Sequence, residues 1–208
     1  MIEYESYLTG VTGATAEHLQ LDAGVFLKSY TPGSDIVAAN IISATRGGGT
    51  LDIVPVTHHV DADGIPQNFV GMDRIDEYTV NMNTTLIEVT EDTLTLAFGG
   101  AVNVASITRT GTSIVDKKIT LKNVFQDSDY TDIWWLGNLS DGTKIAVKLS
   151  KTRCKDGLRL TINNKGEGTF PINLTAHYNF TYSSSQTPTI TGIQTDAPVE
   201  IWFVKNAA

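Results

Sequence analysis

Residues 172–182 alternate between apolar and polar side chains without a slip. Because successive side chains of a strand point to opposite faces, eleven alternating residues predict one long strand with one apolar face and one uncharged polar face. A sheet built from such strands has one face on a core and the other toward water or a partner. The apolar set is Ile172, Leu174, Ala176, Tyr178, Phe180 and Tyr182, and the polar set is Asn173, Thr175, His177, Asn179 and Thr181.

A second strand with the same pattern is expected at residues 78–86. Its alternation changes phase at Ile87, which predicts a bulge or the end of the strand before a helix. The helix is expected to begin after Thr90 as N-cap and to end at Gly99 and Gly100, with Leu94, Ala97 and Phe98 as its buried stripe. A weaker helical pattern covers residues 34–44.

Shorter strands are indicated along the rest of the chain, two of them joined by a tight turn. The turn contains Asp141 and Gly142, a pair typical of hairpins. These features predict a mainly β fold: a β-sandwich or open barrel of long antiparallel strands with one short helix packed on the sheet, as a single domain over residues 1–208. The further strands are expected at residues 25–30, 50–60, 118–124, 130–136, 144–149, 158–162 and 199–204.

Two segments lack periodicity and predict an extended loop arm over about residues 45–75. The first contains Gly47, Gly48 and Gly49, which we interpret as a flexible hinge because no P-loop Lys or Ser/Thr follows. The second, residues 60–74, is rich in Asp, Gly and Pro. Long loops of this kind often make functional contacts.

The charge balance argues against a protein that grips nucleic acid. Lys and Arg number 15 against 23 Asp and Glu, which gives a formal net charge of -8. Cys154 is the single cysteine, so an intramolecular disulfide and a multi-cysteine zinc site are excluded. No secretory signal or membrane-spanning run is expected, and four N-glycosylation sequons are interpreted as products of Asn and Thr richness.

Candidate chemical sites are weak. His58 and His59 occupy adjacent strand positions and point to opposite faces, and Asp61 and Asp63 match only a fragment of a calcium loop. Cys154 lies between two basic residues but has no base. The serines at residues 183–185 lack a nucleophile-elbow context. We therefore expect no enzyme activity, no cofactor and no metal.

The chain resembles the major tail tube proteins of long-tailed bacteriophages, in the style of phages that infect Gram-positive hosts. Each matching pattern is loose, and together they cover about residues 19–181. They are the segments 19–25 (LQLDAGV), 44–49 (ATRGGG), 71–76 (GMDRID), 134–137 (WWLG) and the strand that ends at Ala176 and His177.

The resemblance implies a virion subunit that is made in the host cytoplasm and assembles into stacked hexameric rings. Strands from all subunits would close an inner β-barrel around a channel through which DNA passes as non-specific cargo. Partners would be further copies of the chain and other tail proteins, namely the tape measure, baseplate and tail terminator. No membrane partner is expected.

Two residue sets follow from that implication. The polar strand faces would line the channel, and the loop arm would lie on a neighbouring subunit or ring. The expected channel lining is Glu77, Thr79, Asn81, Asn83, Thr85, Asn173, Thr175, His177, Asn179 and Thr181; the expected arm contacts are Arg46, Gly47, Gly48, Gly49, Asp61, Asp63 and Arg74.

The main alternative is a carbohydrate- or receptor-binding β-sandwich. Trp134, Trp135 or Trp202 would then stack on sugars. Because Trp134 and Trp135 are adjacent on a strand, one is expected in the core and the other toward a partner. A related baseplate or tail-terminator component is a further alternative.

Overall fold

The computed structural model describes residues 12, 14–20, 22–61, 63–64, 70–111, 113–162, 164–182 and 190–205. Within them the chain is mainly antiparallel β-structure with one α-helix, so the predicted fold class is confirmed. The helix α1 is Glu91–Ala97, and 3-10 turns lie at Ala16–His18, Ala38–Asn40 and Asp127–Asp129. The strands are β1 Val25–Leu27, β2 Thr45–His59, β3 Asp73–Leu86, β4 Val102–Thr108, β5 Val115–Leu121, β6 Thr131–Asn138, β7 Lys144–Cys154, β8 Phe170–Thr175, β9 Phe180–Tyr182, β10 Ile190–Ile193 and β11 Val199–Val204.

Seven strands form the main sheet. Their order is β1-β6-β7-β8-β3-β2, and β11 adds to the free side of β7. The β6–β7 hairpin turns through Asp141 and Gly142, as predicted, and Gly142 has a φ of 83°. Strands β4 and β5 form a separate two-stranded sheet, as do β9 and β10.

Strand β7 bends and belongs to both halves of the main sheet. Its first part pairs with β6 and β11, whereas Arg153 and Cys154 pair with β8. Between these parts Lys151 adopts a left-handed φ of 46°. The two halves therefore enclose one core, to which both contribute. Its buried members include Val80, Met82, Phe170 and Leu174 from one half and Phe26, Ile133, Val147 and Leu149 from the other.

The alternation predicted for β3 is confirmed. Val80, Met82, Thr84 and Leu86 are buried, and the side chains between them are only partly buried. Strand β2 begins earlier than predicted, because the glycine segment is part of the strand and not a hinge. A bulge lies between Arg46 and Gly49, where a Cβ on Gly49 would come within 2.5 Å of a backbone oxygen.

The single strand predicted for residues 172–182 is wrong. Strand β8 ends at Thr175, and residues 176–179 leave the ladder before β9 begins. The backbone N–H of Ala176 still donates to Val80, but that of His177 donates to Ser150 at the bend of β7. The chain thus crosses from one pairing partner to another while its polar alternation continues.

The helix forms where it was expected. Thr90 is the N-cap, and its hydroxyl accepts from the backbone of Thr93, whose hydroxyl accepts from the backbone of Thr90 in return. Ala97 is buried as predicted, and Thr93 is a buried member that the pattern missed. Leu94 and Phe98 are half-buried.

Two weaker expectations fail. Residues 34–44 contain one 3-10 turn and no α-helix, and residues 158–162 contribute only a bridge between Thr161 and Thr169. Most side chains of both segments are exposed, so neither segment packs a continuous face on the core. A single domain over the whole chain stays a prediction. Among the described residues no helix combines the length and the apolar character needed to span a membrane.

Candidate assembly surfaces

The structure contains the predicted polar face on two neighbouring strands, β3 and β8. In β3, Asn81 and Asn83 lie directly opposite Thr175 and Asn173 of β8. The hydroxyl of Thr175 donates to the side-chain oxygen of Asn81 over 2.8 Å, and Asn83 donates to the hydroxyl of Thr50 over 3.2 Å. These amides and hydroxyls form a polar strip across three strands, bordered on β2 by Asp52 opposite Asn81 and by Arg46 opposite Thr85. The residues called here the polar strip are Thr50, Asn81, Asn83, Thr85, Asn173 and Thr175.

Five residues of the expected channel lining lie off this strip. Glu77 and Thr79 lie on β3 before it pairs with β8, and His177, Asn179 and Thr181 follow the end of β8. His177 packs edge-on against Tyr130 at 5.1 Å between ring centroids, and its Nδ1 lies 2.9 Å from the carbonyl oxygen of Lys151. Burial lowers the pKa of His177. The backbone N–H of Asn179 donates to Oε1 of Gln194 over 3.2 Å, and Thr181 lies in β9. Whether any of the set lines a channel stays a prediction.

The distal part of the β2–β3 hairpin extends past the main sheet. Strand β3 pairs with β8 only from Asn81 onward, so residues 54–59 and 73–79 pair with each other alone. Several apolar side chains here are in water, among them Val54 at 53% and Ile75 at 56% exposed, with Val56 also exposed. This segment corrects the expected loop arm, because residues 45–59 and 73–75 of that arm are strand. The two-stranded part formed by residues 54–59 and 73–79 is called here the acidic ribbon.

The acidic ribbon carries an excess of carboxylates. His58 approaches Asp76 at 2.6 Å and His59 approaches Asp73 at 2.9 Å, so each histidine contacts its own carboxylate. No group of three or more metal-ligand side chains comes together in the part of the chain that the structure describes. From residue 52 to residue 79 the only arginine or lysine is Arg74, against Asp52, Asp61, Asp63, Asp73, Asp76 and Glu77.

The other expected arm residues occupy different places. Arg46 lies at the start of β2 and pairs with Glu167 at 3.3 Å, beside the glycine bulge. Arg74 lies on the acidic ribbon opposite His58. Asp61 and Asp63 lie in the connection between β2 and β3.

A second ribbon is formed by β4, which the sequence analysis did not predict, and β5, which overlaps the strand predicted at residues 118–124. It is called here the basic ribbon, residues 102–121. Its strands pair only with each other, and nearly all its side chains are exposed or half-exposed. The signal was the alternation of Val102 and Val104 with polar neighbours, followed by a Thr-Gly turn. Its exposed apolar side chains are Val104, Ile107, Val115 and Leu121.

The basic ribbon carries a net positive charge, whereas the acidic ribbon carries a net negative charge. Arg109 makes a bidentate contact with Asp116 at 2.7 and 2.8 Å, which leaves Lys117 and Lys118 as the excess charge. Lys117 also lies 3.7 Å from Glu91 at the start of α1. Both lysines are exposed.

The tryptophan pair does not present a partner-facing ring. Trp134 is buried against Tyr30 and Leu27 on one side of the sheet. Trp135 packs on the main core on the other side, and its Nε1 donates to the carbonyl of Ala23. The expectation that one of the pair meets a partner is therefore not supported by their packing, since both sheet faces are covered here.

Trp202 of β11 is the exposed tryptophan of the described residues, at 44% of its surface. Its neighbours Ile201 and Phe203 are exposed as well. Cys154 is buried in the core. The serine run lies outside the described residues.

No protein-family model and no curated protein matches the chain. A comparison with solved structures finds similarity to a chain described as "Virion of native gene transfer agent (GTA) particle". The TM-score is 0.39 and the sequence identity 10%, over 82% of this chain and 96% of that chain.

Proposed function

We propose that this chain is a structural virion protein that self-assembles into stacked hexameric rings and forms the hollow tail tube through which phage DNA passes. The observation that carries the proposal is the pair of ribbons that leave the main sheet. Each is a two-stranded structure with apolar side chains in water, an arrangement that is marginally stable alone. Association between copies would cover both.

Burial of the ribbons supplies a driving force for association. Complete burial of an aliphatic side chain stabilises by about 1.5–3 kcal/mol, so covering a half-exposed one contributes about half of that. Seven such side chains lie on the ribbons, enough to offset part of the entropy lost on association. They are Val54, Val56, Ile75, Val104, Ile107, Val115 and Leu121.

Unpaired sheet edges support the same proposal. Within the described part of the chain, strand β2 has β3 on one side and no strand on the other, over fifteen residues. Strand β11 is likewise paired on one side only, with β7. Such edges invite pairing with another chain, and closing a sheet across subunits removes them.

The polar strip is suited to a channel that DNA crosses without being held. Amide and hydroxyl groups offer no cation to the phosphates, whereas lysines and arginines would bind them and release counterions. The net charge of -8 acts in the same direction. Tape measure, baseplate and tail-terminator proteins would be the further partners, and the chain would have no catalytic role.

A carbohydrate- or receptor-binding module is the second candidate, and Trp202 favours it. An exposed indole is a surface on which a sugar ring could stack, and Ile201 and Phe203 lie on the other face of the same strand. A baseplate or tail-terminator subunit would have the same ribbons. It would differ from a tube subunit in what it assembles into, which is one closed ring and no tube.

Electron microscopy of the purified protein in negative stain, over a series of rising concentrations, tests the proposal. Tubes or stacked six-fold rings are expected. Single rings at every concentration would favour the terminator or baseplate role. A monodisperse monomer throughout, together with glycan binding that Trp202→Ala abolishes, would replace the proposal with the binding module.

A further inference from the structure

We infer that the basic ribbon of one copy docks on the acidic ribbon of the next copy. This inference rests on the proposed self-assembly and names the surfaces that carry it. Two different surfaces of each chain would meet, so the contact is head-to-tail and repeats from copy to copy. Contacts of this type close into rings or extend as filaments.

Charge is the first argument. The acidic ribbon carries Asp73, Asp76 and Glu77 against Arg74, and three more carboxylates, Asp52, Asp61 and Asp63, lie next to it in the chain. The basic ribbon carries Lys117 and Lys118 in addition to the Arg109–Asp116 pair. Opposite surface potentials steer two copies together and disfavour pairing of like ribbons. In a chain with a net charge of -8, a locally basic surface is unlike its surroundings.

The apolar side chains are arranged to match. On the basic ribbon, Val104 lies opposite Ile119 and Val102 lies opposite Leu121, so these four share one face, of which Val104 and Leu121 are exposed and Val102 is buried. Lys117 lies farther along this face, and Lys118 lies on the other one. The acidic ribbon needs a corresponding apolar face with a carboxylate beside it.

The acidic ribbon has that face. Val54 lies opposite Thr79, and Val56 lies opposite Glu77. The carboxylate of Asp52 is on the same face, because Asp52 and Val54 are two residues apart on one strand. In the proposed contact, Val54 and Val56 with their neighbouring carboxylates would face the apolar group around Val104 with its neighbouring Lys117.

The contact changes the expected channel lining. Glu77 and Thr79 share a face with two exposed valines, which an aqueous channel would leave in water. The polar strip from Asn81 to Thr85 has polar or charged residues at its paired positions except at Pro171, which lies opposite Thr85. Glu77 and Thr79 therefore belong to the docking surface, and the lining begins at Asn81.

Charge reversal tests the inference. Variant one carries Lys117→Glu and Lys118→Glu, and variant two carries Asp52→Lys and Glu77→Lys. Each alone is expected to remain monomeric in sedimentation velocity at concentrations where the wild type assembles. An equimolar mixture of the two, or all four changes in one chain, is expected to assemble again because the charges are exchanged. Lys155→Glu with Lys165→Glu is the matched control and should assemble like the wild type.

Cross-linking separates this inference from the proposed function. Val56→Cys and Val104→Cys are made in separate chains, mixed, and treated with a short bis-maleimide; Val56→Cys with Ile201→Cys is the control pair. A cross-linked dimer from the first pair supports the contact even when no tube forms. Wild-type tubes combined with unimpaired assembly of both reversal variants, or absence of the cross-link, would overturn the inference and leave the tube proposal standing on the microscopy.

Discussion

The backbone N–H of Lys151 donates a hydrogen bond to Oδ1 of Asp132 over 3.0 Å. Lys151 has a φ of 46°, in the left-handed region that a residue with a Cβ rarely adopts. The carboxylate of Asp132 also lies 3.3 Å from Nζ of Lys148. Asp132 therefore fixes β7 at the residue where it passes from one half of the sheet to the other.

Asp132→Ala is expected to lower the free energy of unfolding by about 1–2 kcal/mol, because the N–H of Lys151 loses its acceptor at a half-buried position. Asp132→Asn keeps an oxygen there and loses only the charge, so its loss should be smaller. Urea denaturation followed by tryptophan fluorescence measures both. Equal losses would indicate that the ion pair with Lys148, and not the hydrogen bond, is what stabilises the bend.

Lys151→Gly is expected to raise the free energy of unfolding by up to about 1 kcal/mol, because glycine adopts the left-handed conformation without strain from a Cβ. Lys165, with a φ of 62°, offers a second site of the same kind in an exposed turn. Lys144→Gly, in the regular part of β7, is the matched control and should be destabilising. A loss of stability in Lys151→Gly, measured by the same denaturation, would contradict the strain.

Stability is expected to fall as the pH is lowered below about 6.5, the ordinary pKa of histidine. Burial lowers the pKa of His177, so the unfolded chain takes up a proton there before the folded chain does. His177→Asn keeps a donor for the carbonyl of Lys151 and removes the titration. Thermal unfolding between pH 7.5 and 5 should show a smaller pH dependence in this variant. An unchanged dependence would exclude His177 as its source.

A second acid-sensitive contact is expected at lower pH. The hydrogen bond from Lys122, at 2.8 Å, and a further one from the backbone of Gln126 hold the pKa of Asp129 below its ordinary value of 3.8. The stability that they contribute is present above that value and is lost as the pH falls through the lowered pKa. Asp129→Asn should cost about 1–3 kcal/mol at pH 7 and should flatten the acid limb below pH 4. A Lys122→Met variant with full stability at pH 7 would argue against the pair.

Local patterns predicted the elements whose pairing is also local. The N-cap at Thr90, the alternation of β3 and the β6–β7 turn depend on neighbours in sequence, and all three were readable. The end of β8 was not, because it depends on a change of partner from β3 to the bend of β7, which lies far away in the chain. Alternation in the sequence predicts which face of a sheet a side chain is on. It does not predict whether the hydrogen bonds to the neighbouring strand continue.

The candidate surfaces were predicted in part for the same reason. The polar strip follows from alternation in two strands, and the structure adds only that they are neighbours. The three glycines, for which no P-loop pattern was found, predict a hinge, whereas in the structure they pair with β3 as part of β2. Of the basic ribbon, β5 overlaps a predicted strand, but β4 was not predicted because it follows the two glycines that end the helix and its alternation there is short.

The pairings that complete the main sheet join distant parts of the chain. Strand β1 pairs with residues 134–136 and β3 pairs with residues 170–175, so most of the chain must be available before the core can close. Proteins dominated by such non-local pairings fold slowly, in milliseconds to seconds. The β2–β3 and β4–β5 hairpins are local and can form earlier. The surfaces for association would then exist before the core does, and timing would decide between ordered assembly and aggregation.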